Sequence, residues 1–66
     1  MFEISNELSW QIRKKRAFNM LSISEAAEQI GISRQTLRKI EVGKLKRTKK
    51  TIFIKLTDWL LVELEA

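Results

Sequence analysis

An all-α fold, a compact bundle of four or five short helices, is what the sequence predicts, and three observations carry that reading. Proline is absent and glycine occurs only at Gly31 and Gly43, which favours helices with short connections over a turn-rich β fold. Apolar residues recur at three- and four-residue steps along several stretches. Serines and other capping residues stand just ahead of those stretches. At 66 residues the chain reads as one domain, 1–66, near the lower size limit for folding without a staple.

Met1 to Ser5 reads as a short lead-in, with Phe2 and Ile4 placed to tuck onto the core. Ser5 or Asn6 can cap a first helix, with Glu7 in its opening turn where negative charge suits the dipole. That helix should run to about Phe18, with Leu8, Ile12 and Ala17 inward and Lys14 and Lys15 turned to water. Trp10 fits either packing or an exposed rim. Asn19-Met20-Leu21 joins the next element, with Met20 or Leu21 as a plug.

The most informative stretch is Ser22 to Gly43, SISEAAEQIGISRQTLRKIEVG. Ser22 and Glu25 have the spacing of a capping box: the hydroxyl accepts from an early backbone N–H, and the carboxylate reaches back to the cap. A helix then runs from about Ile23 to Ile30, with Ala26, Ala27 and Ile30 on one face. Gly31 tolerates the left-handed backbone that ends a helix sharply. Ser33 can cap a second helix, from about Arg34 to Val42, with Leu37 and Ile40 on one face and Arg34, Gln35, Arg38 and Lys39 elsewhere. Two short helices with a tight turn between them form the helix-turn-helix by which small regulators enter the major groove.

Lys44 to Lys50 follows, with four lysines and one arginine around the apolar Leu45. Thr48 can cap what comes next. From Lys49 to Glu65, Ile52, Phe53, Leu56, Trp59, Leu60 and Leu64 keep helical spacing. A strand over Thr51 to Lys55 is the rival, since that stretch is rich in β-branched and aromatic residues. The apolar pattern continues through Leu64 without a turn signal, which favours the helix. Ile54, Leu61 and Val62 carry the apolar surface beyond one buried stripe, and with Trp59 they are the candidates for a homodimer contact. A membrane-surface helix fits less well, because its polar face would turn acidic at the end.

Charge is unevenly spread. Residues 34–55 hold nine basic side chains against Glu41 alone, whereas residues 1–33 balance four against four and 56–66 hold three acidic groups and no basic one. A positive band centred on the second helix of the motif points to a polyanion. The chain lacks cysteine and histidine, which removes disulfides and thiolate or imidazole metal sites and is compatible with a cytoplasmic location. No phosphate-cradling glycine loop or facing carboxylate pair is present, so neither an enzyme nor a cofactor is expected.

These residues resemble the Cro/CI (XRE) family of phage-type helix-turn-helix repressors, over about Ile12 to Leu60. The marks are Arg16 late in the first helix, Ser22 and Ala27 in the second, Gly31-Ile32-Ser33 in the turn, and Ile40-Glu41-Val42-Gly43 closing the third. The resemblance implies a λ-repressor-like domain in which Glu41 pairs with Arg16, and in which Ser33, Arg34, Gln35, Arg38 and Lys39 touch base edges or nearby phosphates. Ala26 departs from the usual leucine, and Thr48 from a frequent proline. Lys44, Lys46, Arg47, Lys49 and Lys50 would then grip phosphates, aided by the helix start at Ser22. Sequence-specific binding of double-stranded DNA by a homodimer on a palindromic operator is the function expected, with transcriptional regulation as the outcome. An excisionase-like or architectural accessory factor and an antirepressor-type interaction module are the alternatives.

Overall fold

The computed structural model describes residues 2–62, in the order β1 (Phe2–Glu3), α1 (Asn6–Phe18), α2 (Ile23–Ile30), α3 (Arg34–Glu41), β2 (Arg47–Thr48) and α4 (Lys50–Leu61). Four helices form among these residues, not five. The stretch with two readings, Thr51 to Lys55, is helical, because Leu56 and Trp59 must reach the core on one face with Ile52 beside them. The helix stops at Leu61, short of the expected Glu65, and Leu64 lies outside the described residues.

The all-α expectation is corrected at one point. β1 and β2 form a two-stranded antiparallel sheet, with Phe2 opposite Thr48 and Glu3 opposite Arg47. The Ile4 N–H donates to the Lys46 carbonyl at 2.7 Å, and Ile4 is buried, so the lead-in is drawn along the loop that precedes α4. Thr48 is consequently buried in β2 instead of capping α4; Lys49 takes the cap position without a side-chain bond.

Local signals set the other helix boundaries. Ser5 accepts from the Leu8 N–H and Ser33 from the Thr36 N–H, each opening a helix one residue later. Ser22 accepts from the Glu25 N–H at 3.1 Å while the Glu25 carboxylate accepts from the Ser22 N–H at 2.9 Å. That backbone N–H first, and the Ser22 hydroxyl next, hold the Glu25 carboxyl below its ordinary value of 4.5. Gly31 takes φ +91° and its N–H donates to the Ala27 carbonyl, which ends α2 within one residue. Met20 makes the equivalent left-handed step after α1 at φ 56°, so it faces solvent and Leu21 is the residue that packs inward.

The core gathers around Ile12, Leu37, Ile40 and Leu56, which are fully buried, with Ile4, Ala26, Ala27, Ile30 and Trp59 completing it. Ala17, expected inward, is exposed, and of the two readings for Trp10 the rim is the one found, at 50% exposure. Lys15 does not point to water: its ammonium donates to the Trp59 and Val62 carbonyls at the end of α4 and sits 4.8 Å from the Trp59 ring centroid. The long lysine stem lets the charge reach the negative end of a neighbouring helix.

One ion pair ties α1 to α3. Arg16 Nε and Nη2 donate to the two carboxylate oxygens of Glu41 at 2.8 and 2.9 Å, and Arg16 Nη1 donates to the Leu21 carbonyl. Glu41 is 5% exposed. Arg16→Met should therefore cost about 3–5 kcal/mol in urea unfolding, since it strands a buried carboxylate. Adding Glu41→Leu should recover most of that loss; a double variant as unstable as the single would count against a desolvated charge as the cause.

Glu25 gives a pH-dependent expectation. Its carboxyl is lowered in the folded state, so the capping box stabilises above the ordinary value of 4.5 and the benefit fades as pH falls through the lowered one. The stability gap between wild type and Glu25→Gln should be open near neutrality and close in acid, as read from thermal melts across that range.

Candidate nucleic-acid interface

α3 divides cleanly into two sides. Leu37, Ile40 and Glu41 are buried and Thr36 is half-buried, whereas Arg34, Gln35, Arg38 and Lys39 are exposed. At 100° per residue the four exposed side chains share one continuous arc of the helix, opposite the core anchors. Gln35, Arg38 and Lys39 make no side-chain hydrogen bond or ion pair among the described residues, and with Val42 and Lys44 they line a shallow cleft. Their polar groups are thus open to an external partner.

Two of the expected base-reading residues have local partners. Arg34 Nη1 donates to the Ser24 hydroxyl at 3.3 Å, which leans the guanidinium across the first turn of α2. The bond is long and exposed, so exchange for a better acceptor costs little. The Ser33 hydroxyl accepts from the Thr36 N–H and donates to Thr36 Oγ1 at 2.7 Å. Reaching a base would require Ser33 to release Thr36. Ser22 is engaged in its capping box in the same way, but the early N–H groups of α2 remain at the surface beside it.

The basic loop flanks this arc. Lys44, Lys46, Arg47, Lys49 and Lys50 are all exposed and lack side-chain partners among the described residues, while Leu45 packs against the core and Thr48 is buried. Glu41, the only acidic residue in 34–55, is neutralised by Arg16 from outside that band. Among the described residues all nine cations of the band therefore stand without an acidic partner, a stronger field than the residue count alone conveys.

Three positions matter here that the sequence reading did not single out. Arg13 Nη1 donates to the Glu41 carbonyl at 3.3 Å, placing a cation at the negative end of α3. Ser24 holds Arg34. Lys55, one of the nine cations, donates to the Gly31 carbonyl at 3.0 Å and so clasps the turn between α2 and α3. None of these is signalled locally, because each partner lies at least ten residues away.

The dimer candidates divide. Trp59 is 4% exposed, with its indole N–H donating to Gln29 Oε1 at 3.1 Å, so it belongs to the core and is removed from the contact set. Its helical spacing with Ile52 and Leu56 puts it on the buried stripe, where its ring meets Lys15 of α1 and Gln29 of α2. Ile54, Leu61 and Val62 are exposed. Beside Leu61, an apolar groove between α1 and α4 is lined by Trp10, Lys14, Phe18 and Leu60.

No metal-holding group of acidic residues occurs among the described residues, and no helix there is long and apolar enough to cross a membrane. Comparison with known proteins reinforces the geometry. A family model described as helix-turn-helix matches residues 12–64, from the middle of α1 past the end of α4. No curated protein and no solved structure matches the chain. With a matched span that covers most of the sequence and includes both helices of the motif, the chain belongs to the XRE-type helix-turn-helix family of DNA-binding transcription regulators.

Proposed function

We propose that this protein is a Cro-like repressor that binds a palindromic operator as a homodimer, with α3 lying in the major groove. The observation that carries the reading is the split of α3: Leu37 and Ile40 fasten it to the core, leaving the Arg34, Gln35, Arg38 and Lys39 arc outward. Gln35 can bond adenine N6 and N7, and Arg34 or Arg38 can fork onto guanine O6 and N7. Lys39 and Ser33 reach base edges or the phosphates alongside. Lys44, Lys46, Arg47, Lys49 and Lys50, with the α2 start at Ser22, supply sequence-independent attraction. A copy seated in the groove blocks other proteins from that stretch of duplex, so occlusion alone gives repression.

One domain of this size reaches few base pairs, so affinity and selectivity are raised when two copies occupy half-sites about 34 Å apart. Ile54, Leu61 and Val62, with the Trp10–Phe18–Leu60 groove, are the surface that a second copy would cover.

Selection on randomised duplex DNA should return a preferred half-site. Arg34→Ala or Gln35→Ala should change that preference, losing about 1–3 kcal/mol of discrimination at one position. Lys46→Ala should weaken all sequences alike. A pool with no preferred half-site would remove operator-specific repression and favour an architectural role; protein capture insensitive to Arg34→Ala and Lys39→Ala would favour an interaction module.

Sedimentation at micromolar concentration tests the dimer. Wild type should self-associate, alone or on its half-sites, and Leu61→Asp should weaken that association at least about tenfold by placing a charge against apolar surface. A strictly monomeric wild type on its preferred DNA would overturn it.

A further inference from the structure

We propose that β1 is a positioning element for DNA binding: residues Phe2 to Ile4 carry no cation, yet they shape the α3–α4 loop into a fixed wing that grips the sugar–phosphate backbone. The inference rests on the DNA-binding reading above and names a further determinant of that interface.

The loop alone has little reason to hold one shape. Five of the seven residues from Lys44 to Lys50 are cationic, and neighbouring like charges favour a spread, solvated ensemble. Two anchors act from the core side, Leu45 and the buried Thr48. β1 adds restraint from the other side. Phe2 and Glu3 pair with Thr48 and Arg47, and the Ile4 N–H donates to the Lys46 carbonyl. The strand is itself fixed at both ends. Ile4 is buried in the core, and the Phe2 ring stacks on Phe53 of α4 at 5.0 Å between centroids and 27° between planes.

The consequence is a directional surface. With Leu45 and Thr48 held inward, Lys44, Lys46, Arg47 and Lys49 stand in solvent without internal partners among the described residues. Glu3 lies opposite Arg47 in register but forms no ion pair with it among the described residues, so the guanidinium stays available. A wing ordered before binding avoids the entropy loss that a spread loop would suffer on contacting phosphates. Phe2 controls this without touching DNA, because its ring faces Phe53.

The test compares the full chain with Phe2→Ala, Phe2→Tyr and Lys46→Ala. Binding to a labelled duplex of arbitrary sequence is followed by fluorescence anisotropy across a potassium chloride series, and amide exchange is followed at Ile4 and Thr48, the amides that face the partner strand in this register. Phe2→Ala should speed exchange at both amides, lower affinity about tenfold on all duplexes and reduce the salt slope by about one to two, the loss of one or two phosphate contacts. Phe2→Tyr keeps the stack and should restore all three. Phe2→Leu, which keeps an apolar anchor without the stack, serves the same comparison should Phe2→Ala not fold. Faster exchange with unchanged affinity and slope would overturn the proposal, as would unchanged exchange. Weakening by Lys46→Ala alone would sink the wing and leave the DNA-binding reading standing; a wild type that binds no duplex would sink both.

Discussion

The pairing of Arg16 with Glu41 is the constraint on which the orientation of this small domain depends. α3 has eight residues, too few turns to persist in water unaided, so its placement must come from tertiary contacts. Leu37 and Ile40 press it onto the core, but two aliphatic anchors on a short helix still allow it to roll. A planar guanidinium bonded to both oxygens of a carboxylate defines a direction that apolar packing does not. Arg13 adds a bond to the last carbonyl of the same helix. Desolvating two charges is costly, so the gain lies in orientation more than in net stability. It also neutralises the only acidic residue of the cationic band.

The remaining geometry follows from how the chain turns between helices. Three serines open α1, α2 and α3 with the same hydroxyl bond, and left-handed residues at Met20, Gly31 and Gly43 close the segments between them. α4 lacks that device. Its cap position is Lys49, whose side chain cannot accept from a backbone N–H, and the segment before it is held by β-pairing with the first residues of the chain. The helix-turn-helix is thus set mainly by local signals, whereas the loop beside it is set by a contact that spans more than forty residues.

That contrast explains what could be read from the sequence. The limits of α2 and α3 were legible because Ser22, Glu25, Gly31 and Ser33 act on backbone within three residues of themselves. The helical state of α4 was legible because Leu56 and Trp59 repeat at a helical step next to Ile52 and Leu60. The β1–β2 pair was not: two-residue strands have no periodicity, and nothing in Phe2-Glu3 names Arg47-Thr48 as its partner. Lys15 failed for a related reason. Spacing put the lysine in water, but its long flexible stem carries the ammonium to the Trp59 ring and the end of α4, which spacing cannot place. In the candidate interface, the exposed arc of α3 was legible from Leu37 and Ile40, while the holds by Ser24 on Arg34 and by Lys55 on the turn arise only on folding.

The same cations that suit DNA act against the free protein. Nine basic side chains within residues 34–55, in a domain with four large, fully buried residues, repel one another, and the acidic residue among them is already spent on Arg16. Added salt screens that repulsion and favours the folded free state, yet it weakens attraction to phosphate. A duplex would resolve the conflict by supplying counter-charge to these cations. Binding then stabilises the fold by mass action, about 2.7 kcal/mol at a hundred times the dissociation constant, a sizeable share of what so small a core can provide. A thin core with a cationic band is therefore coherent with a DNA-binding domain: a duplex would complete the electrostatics that the chain leaves open, and the Arg16–Glu41 pair keeps the band's one acidic residue from opposing it.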